Sequence, residues 1–331
     1  DRLASLLEQT TAYFERVLWE SEAGVPVRDY LASRNLGAEI SREFRLGLSQ
    51  GAGLVAKALE RGFTLDEIQA AGLANRRGND YFPFRLMFPL ADARGRVIGF
   101  QARRLRDDDP LKGKYVNTPE SELFKKGNVL YGLHLARPAI AKQDRAIVVE
   151  GNTDVIALRQ AGVEAVVASM GTALTEAQLR ELGRLTKRLS LCFDADAAGQ
   201  EATLRGMELA VKQGFDVRVV ALPKGQDPAD APDAFGARLG SAESYLHYRV
   251  RLEIDAQSDM TWVVVDDPLP AGATALGRGL GGDSSIATTG ERRQGTVFPA
   301  FEERTFAAYR AYFRYVPKGT FVTEYTVRLN N

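Results

Sequence analysis

Glu150 closes the apolar run Ala146-Ile147-Val148-Val149, and Asp154 follows within the same stretch, "EGNTDVIAL". Asp194 and Asp196 close a second run, "LSLCFDAD", about 44 residues after Glu150, and Asp227 sits in "LPKGQDPAD" after a third, "DVRVVA". A single carboxylate after a strand is ordinarily a turn former or a helix cap. Three such ends in order have a different chemistry. If the chain is extended through Asp194-Ala195-Asp196, the period of two sets both carboxylates on one side. Crowded carboxylates repel one another unless a cation neutralises them. The fitting cation is a hard, oxygen-loving Mg²⁺ or Mn²⁺, which keeps waters that a phosphate can replace. The set therefore points to a metal–phosphate site.

Such ligands meet only if the three strand ends share a rim. From Ala146 the sequence alternates regularly: "AIVVEG", a helix near Asp154–Ala161, "AVVAS", a helix over Thr175–Lys187, "LSLCFDAD", a helix over Glu201–Gly214, then "DVRVVAL". Apolar strands separated by helices predict a parallel sheet covered on both faces, with ligands outside the carboxyl ends of the strands. Residues 1 to about 75 read as a small helical layer, with Leu3, Leu7, Phe14 and Leu18 on one face of the first helix. "FRLMFPLADARGRVIGFQARRL" reads as a hairpin turning at Ala93-Arg94-Gly95, part of a mixed or antiparallel sheet. "SAESYLHYRVRLE" is expected to be helical, and after about Gln257 alternating aromatic and β-branched residues predict an all-β tail.

The 331 residues, 45% hydrophobic and 26% charged, suit a globular chain of two or three domains. One cysteine, Cys192, and two histidines, His134 and His247, cannot build a disulfide framework or a Cys/His zinc site. Cys192 inside an apolar strand is expected to be an inert core residue. No apolar run approaches a membrane span, and a cytoplasmic location without a membrane partner is expected. The chain begins at Asp1, so flanking domains are expected outside it. Net charge is zero, yet Tyr81–Arg145 holds 13 Lys/Arg against 7 Asp/Glu. One stretch is basic.

"EGNTDVIAL", "FDADAAG" and "LPKGQDPAD" resemble the three signatures of the Toprim domain in bacterial DnaG-type primases. "YLASRNLG" with "FRLG", "FRLMFPLADARGRVIGFQARRL" and "KYVNTPESELFKKGNVLYGL" resemble the polymerase core of the same family, over about residues 2–253. The resemblance implies DNA-directed RNA primer synthesis from nucleoside triphosphates on single-stranded DNA during replication. It implies Glu150, Asp194 and Asp196 as catalytic residues, and Glu150, Asp194, Asp196, Asp227 and Asp154 around Mg²⁺ or Mn²⁺. Arg34, Arg103, Lys114, Asn117 and Lys126 fall where the family faces template or nucleotide phosphates. A replicative helicase would be reached only through a domain absent here. The alternatives are a Toprim nuclease or topoisomerase-like DNA-cleaving protein, and a non-enzymatic binding protein defined by its tail.

The sequence departs from the family pattern at Asn152-Thr153, commonly Tyr-Met, and at Gln101-Ala102, commonly Gly-Gly. It departs again at Ala195, commonly Gly, and at Ala229, commonly Asp. The tail, with "VVVDDPLPAG" and "RTFAAYRAYFRYVPKGTFVTEYTVRL", resembles a β-sandwich fragment of bacterial α2-macroglobulin-like proteins and is expected to contribute no chemistry. The expected organisation is α/β, α+β overall. It comprises a helical and basic mixed-sheet subdomain over 1–145, a Toprim domain over 146–235, a helical extension over 236–257 and a β-rich segment over 258–331.

Overall fold

The computed structural model describes residues 2–170, 173–192, 206–220, 228–230, 232, 235–236, 239, 243–244, 247–269, 273–276, 291, 293–294, 297–305 and 307–329. Two compact units divide the chain, one of residues 1–215 and 220–242, the other of 216–219 and 243–331.

The first unit opens with α1 (Arg2–Glu20), α2 (Val25–Ser33), α3 (Ala38–Glu43), α4 (Leu54–Glu60) and α5 (Leu65–Ala70), as the apolar spacing predicts. α1 buries Leu7, Phe14 and Leu18. Between α3 and α4 lies a short strand the sequence reading passed over, β1 (Gly47–Gln50). It heads an antiparallel sheet of order β1-β2-β3-β4, with β2 (Phe84–Ala91), β3 (Val97–Arg104) and β4 (Tyr115–Asn117). The β2–β3 hairpin turns where predicted. Asp92 Oδ1 accepts from the amides of Arg94 and Arg96, and Gly95 takes φ +85°, a region only glycine enters freely.

The β3–β4 connection is anchored from inside. Arg85 on β2 is fully buried: its Nε donates to Asp109 Oδ2 at 2.7 Å, Nη1 to Ala102 O at 3.1 Å and Nη2 to Leu111 O at 2.8 Å. A planar guanidinium can spread that many donors across β3 and the loop that follows it, which a lysine cannot.

α6 (Leu133–Gln143) leads into the parallel sheet β6-β5-β7, formed by β5 (Ala146–Val149), β6 (Val166–Ala168) and β7 (Arg188–Leu191). α7 (Asn152–Gln160) and α8 (Glu176–Gly183) provide the intervening helices. β5 lies in the middle and is buried throughout, which explains its uninterrupted apolar sequence. Cys192 is buried as expected. The segment "KYVNTPESELFKKGNVLYGL" stitches the two sheets together. Thr118 Oγ1 accepts from Phe100 N at 2.8 Å at one end. At the other, Tyr131 exchanges backbone hydrogen bonds with Ala168 beside β6, and Gln178 on α8 donates to Val129 O at 2.7 Å. One apolar cluster then runs from Leu48 and Phe88 through Phe124 and Tyr131 to Ile147 and Val166.

The second unit pairs β8 (Asp216–Val219) with β9 (Glu243–Ser244). Its remaining strands are β10 (His247–Ala256), β11 (Met260–Pro268), β12 (Ala273–Ala275), β13 (Arg293–Gln294), β14 (Phe301–Arg304), β15 (Ala308–Val316) and β16 (Gly319–Leu329). They form two antiparallel sheets, β10-β16-β12 with β13 on β16, and β11-β15-β14. Ala256, Tyr309, Phe313, Phe321 and Tyr325 are among the residues packed between them. The all-β tail is as predicted. The helical extension over 236–257 is corrected over His247–Ala256, which is strand for ten residues paired in register with β16. Val250, Leu252 and Ile254 alternate with charged residues, a period of two that a sheet satisfies and a helix would scatter around its surface.

Candidate active site

Glu150 is exposed at the carboxyl end of β5, where the parallel sheet should present a ligand-binding rim. The chain turns at once into α7. Gly151 is its N-cap with extended backbone, and Asp154 at the third helical position accepts the Gly151 amide through Oδ2 at 2.9 Å. Asp154 is 6% exposed and satisfies an orphan donor of the helix start. Its first role is therefore to fix the Glu150–Gly151 turn. Asp194, Asp196 and Asp227, with Ala195 between the first two, lie outside the described residues. No group of three His, Cys, Asp or Glu that could hold a metal occurs among the described residues. What is described fits a divalent ion in its chemistry: an exposed carboxylate at a strand end, beside a second, braced one.

The basic sheet supplies the facing wall. In β3–β4 the register pairs Gln101 with Asn117 and Arg103 with Tyr115, two rungs on the same face. The half-buried Arg103 guanidinium lies 4.5 Å from the centre of the Tyr30 ring and 6.0 Å from that of Tyr115, a cation held by aromatic faces. Burial pushes the Tyr115 hydroxyl up from its ordinary value, while the charge of Arg103 and contacts with Arg103 and Thr153 pull it back. Lys114, exposed, stands 6.0 Å from the Tyr115 ring. Arg34 caps the end of α2, one turn beyond Tyr30, with its side chain exposed. Lys126 opens a short 3₁₀ turn over Lys126–Asn128, where its amide donates to Glu120 Oε1 at 3.2 Å. Thus Arg103, Lys114 and Asn117 gather around the Tyr115 rung, and Arg34 shares the helix that stacks on it. Lys126 makes no hydrogen bond, ion pair or ring contact with this group among the described residues.

Two of the departures from the family pattern touch each other. Asn152 Nδ2 donates to Gln101 Oε1 at 2.7 Å, and Gln101 Nε2 donates to Asn117 Oδ1 at 2.9 Å. Asn152 is 2% exposed and Gln101 6%. This amide ladder joins the turn carrying Glu150 to the rung next to Arg103. Tyr30, Tyr115, Gln101 and Asn152 were not among the residues expected from sequence. For Tyr115 a signal existed, since it stands two before Asn117 and so shares its face; Gln101 and Asn152, 51 positions apart, stood out only as departures from the family pattern, with nothing in the sequence to show that they meet.

Comparison with known proteins places this geometry. Residues 13–137 match the family described as the DNA primase catalytic core, N-terminal domain, and residues 147–231 the family described as Toprim-like. The RNA polymerase domain of Mycobacterium tuberculosis primase DnaG superposes with a TM-score of 0.68 at 37% identity, covering 73% of this chain and 83% of that one. The chain belongs to the DnaG-type primase family. A DnaG primase catalytic domain bound to single-stranded DNA superposes with a TM-score of 0.65 at 35% identity, over 73% of this chain and 79% of that one. The DNA primase of Mycobacterium leprae is 41% identical over 241 residues, 69% of this chain, and the match spans only 37% of that primase's length. Residues 214–331 match the bacterial alpha-2-macroglobulin MG10 domain, in keeping with the resemblance of the tail. Among the described residues no helix is long and apolar enough to cross a membrane.

Proposed function

We propose that this chain synthesises RNA primers on single-stranded DNA, transferring nucleotides from nucleoside triphosphates in DNA replication. The observation that carries the reading is the meeting of two unlike walls. The turn bearing Glu150 is tied, through Asn152 and Thr153, to two neighbouring rungs, Gln101–Asn117 and Arg103–Tyr115. Nucleotidyl transfer needs such a pairing, because a strand and a triphosphate must be gripped by cations and donors while acidic residues hold what activates the reacting oxygen.

Glu150, Asp154, Asp194, Asp196 and Asp227 would hold Mg²⁺ or Mn²⁺. Bound there, the ions neutralise phosphate charge and activate the attacking hydroxyl. Arg103 is oriented before substrate arrives, since Tyr30 and Tyr115 restrict its guanidinium. Lys114 and Arg34 add exposed positive charge along the same wall, so template binding should weaken as salt rises. Glu150 serves as acid/base at the 3′-hydroxyl. Partners are the template, the triphosphates and the growing primer, in the cytoplasm.

Incubation with single-stranded DNA, ribonucleoside triphosphates and Mn²⁺ or Mg²⁺ tests the reading. Short RNA products that vanish with chelator are expected. A folded protein that yields none, or that nicks DNA without nucleotides, contradicts it and in the second case favours a Toprim nuclease.

A further inference from the structure

We infer that Gln101 and Asn152 are positioning residues that set the polarity of Asn117, holding its amide nitrogen outward beside Arg103 as a donor for a phosphate oxygen. The inference rests on the proposed primer synthesis for the identity of the ligand, though not for the geometry.

A side-chain amide has a donor end and an acceptor end of nearly equal size, so its neighbours decide which faces out. Asn117 Oδ1 is engaged by Gln101 Nε2 at 2.9 Å. Its Nδ2 makes no hydrogen bond among the described residues, and its rung adjoins that of Arg103 and Tyr115. Gln101 can donate toward Asn117 only because its own oxygen is taken by Asn152 Nδ2 at 2.7 Å. The ladder thus runs in one direction, donor to acceptor, from the first residue of α7 outward to β4.

The reverse direction would make the same two hydrogen bonds and turn the Asn117 carbonyl outward. A carbonyl there would repel an anion that Arg103 attracts. Either direction leaves one end of the buried Asn152 amide without a partner, Oδ1 in the one observed and Nδ2 in its reverse, so the two differ in what Asn117 presents beside Arg103. With its nitrogen outward, Asn117 suits a negative group, as Arg103 does. Two sources of phosphate reach a primer-forming site, the incoming triphosphate and the template strand, and both present the same oxygen chemistry.

The test compares Gln101→Leu, Gln101→Glu and Asn117→Ala with the unaltered chain. Measured are the KM and kcat for ribonucleoside triphosphate in primer synthesis, the equilibrium binding of Mn²⁺-GTP without template, and the binding of a single-stranded oligonucleotide without nucleotide. Losing a hydrogen bond to a charged group corresponds to roughly tenfold in affinity or more. Asn117→Ala and Gln101→Leu should each weaken binding by about that factor in the same arm, with kcat within about threefold, and the double variant should be no worse than either single one. Gln101→Glu still accepts from Asn152 but cannot donate to Asn117, so it should weaken binding at least as much, and it stands in should Gln101→Leu not fold. A change confined to the GTP arm assigns the phosphate to the nucleotide, and one confined to the oligonucleotide arm assigns it to the template.

Independent, additive effects of Gln101 and Asn117 overturn the inference, as do glutamine variants that bind both ligands as the unaltered chain does. If the unaltered chain makes no primer yet binds a phosphate ligand with this dependence, the polarity device stands and the proposed reaction falls. If it binds neither ligand, both fall.

Discussion

Glu150 and Arg85 show how differently two charged residues act within one unit. Glu150 is exposed at a strand tip, so Glu150→Gln should leave the unfolding temperature nearly unchanged and lower primer synthesis on the order of 10²-fold, the scale of a lost acid/base group. Arg85 is sealed in with Asp109, and their side chains are 0% and 2% exposed. Removing one member of such a pair leaves a buried charge uncompensated, so Arg85→Ala should cost about 3–5 kcal/mol in urea unfolding. Activity should fall with it, because the loop that Arg85 holds leads into Lys114 and β4. The acidic residues were legible in sequence because each follows an apolar run at a strand end. The amide ladder was not, because Gln101, Asn117 and Asn152 were each singled out separately and their meeting depends on packing β3 against the start of α7.

Caps and hinges carry the next level of order. Thr175 starts α8 with a full capping box: its Oγ1 accepts from Gln178 N at 3.2 Å and also donates to Gly127 O at 2.5 Å. Thr175→Ala should lower stability by about 1 kcal/mol in chemical denaturation and loosen the segment joining the two sheets, seen as faster amide exchange over residues 126–131. At α5, Glu67 is hydrogen-bonded and paired with Arg2 and also accepts from the Thr64 amide, which holds its carboxyl down at about 2. A carboxyl lower in the folded state than the ~4.3 of an unfolded chain stabilises above pH ~4–5. That contribution is lost as pH falls toward 2. Acid unfolding of Glu67→Gln followed by circular dichroism should show a shallower dependence over that range. Most of these elements could be read from apolar spacing and capping residues. β1 escaped because four residues give too little periodicity, and β10 was mistaken for helix although its alternation was already present in the sequence.

At the scale of the chain, two recognisable parts have separate cores. One apolar cluster draws on residues 17–239 and another on 250–327. Primer synthesis should therefore persist, within a fewfold, when the chain is cut after residue 242; complete loss in a folded truncation would assign the tail a share in the reaction. A cut at Thr261 is the poorer choice, since it leaves β10 without the ten residues of β16 that pair with it. The tail was recognisable as strands from its alternating aromatic and β-branched residues, and as a family fragment from "DDPLPAG". The most direct measurement is anomalous scattering from crystals soaked in Mn²⁺. Manganese bonded to Glu150 Oε at about 2–2.6 Å, together with the carboxylates of Asp194, Asp196 and Asp227, is the expected result. Manganese absent from that rim, or Glu150 more than about 10 Å from any bound ion and hence far outside bonding range, would contradict it.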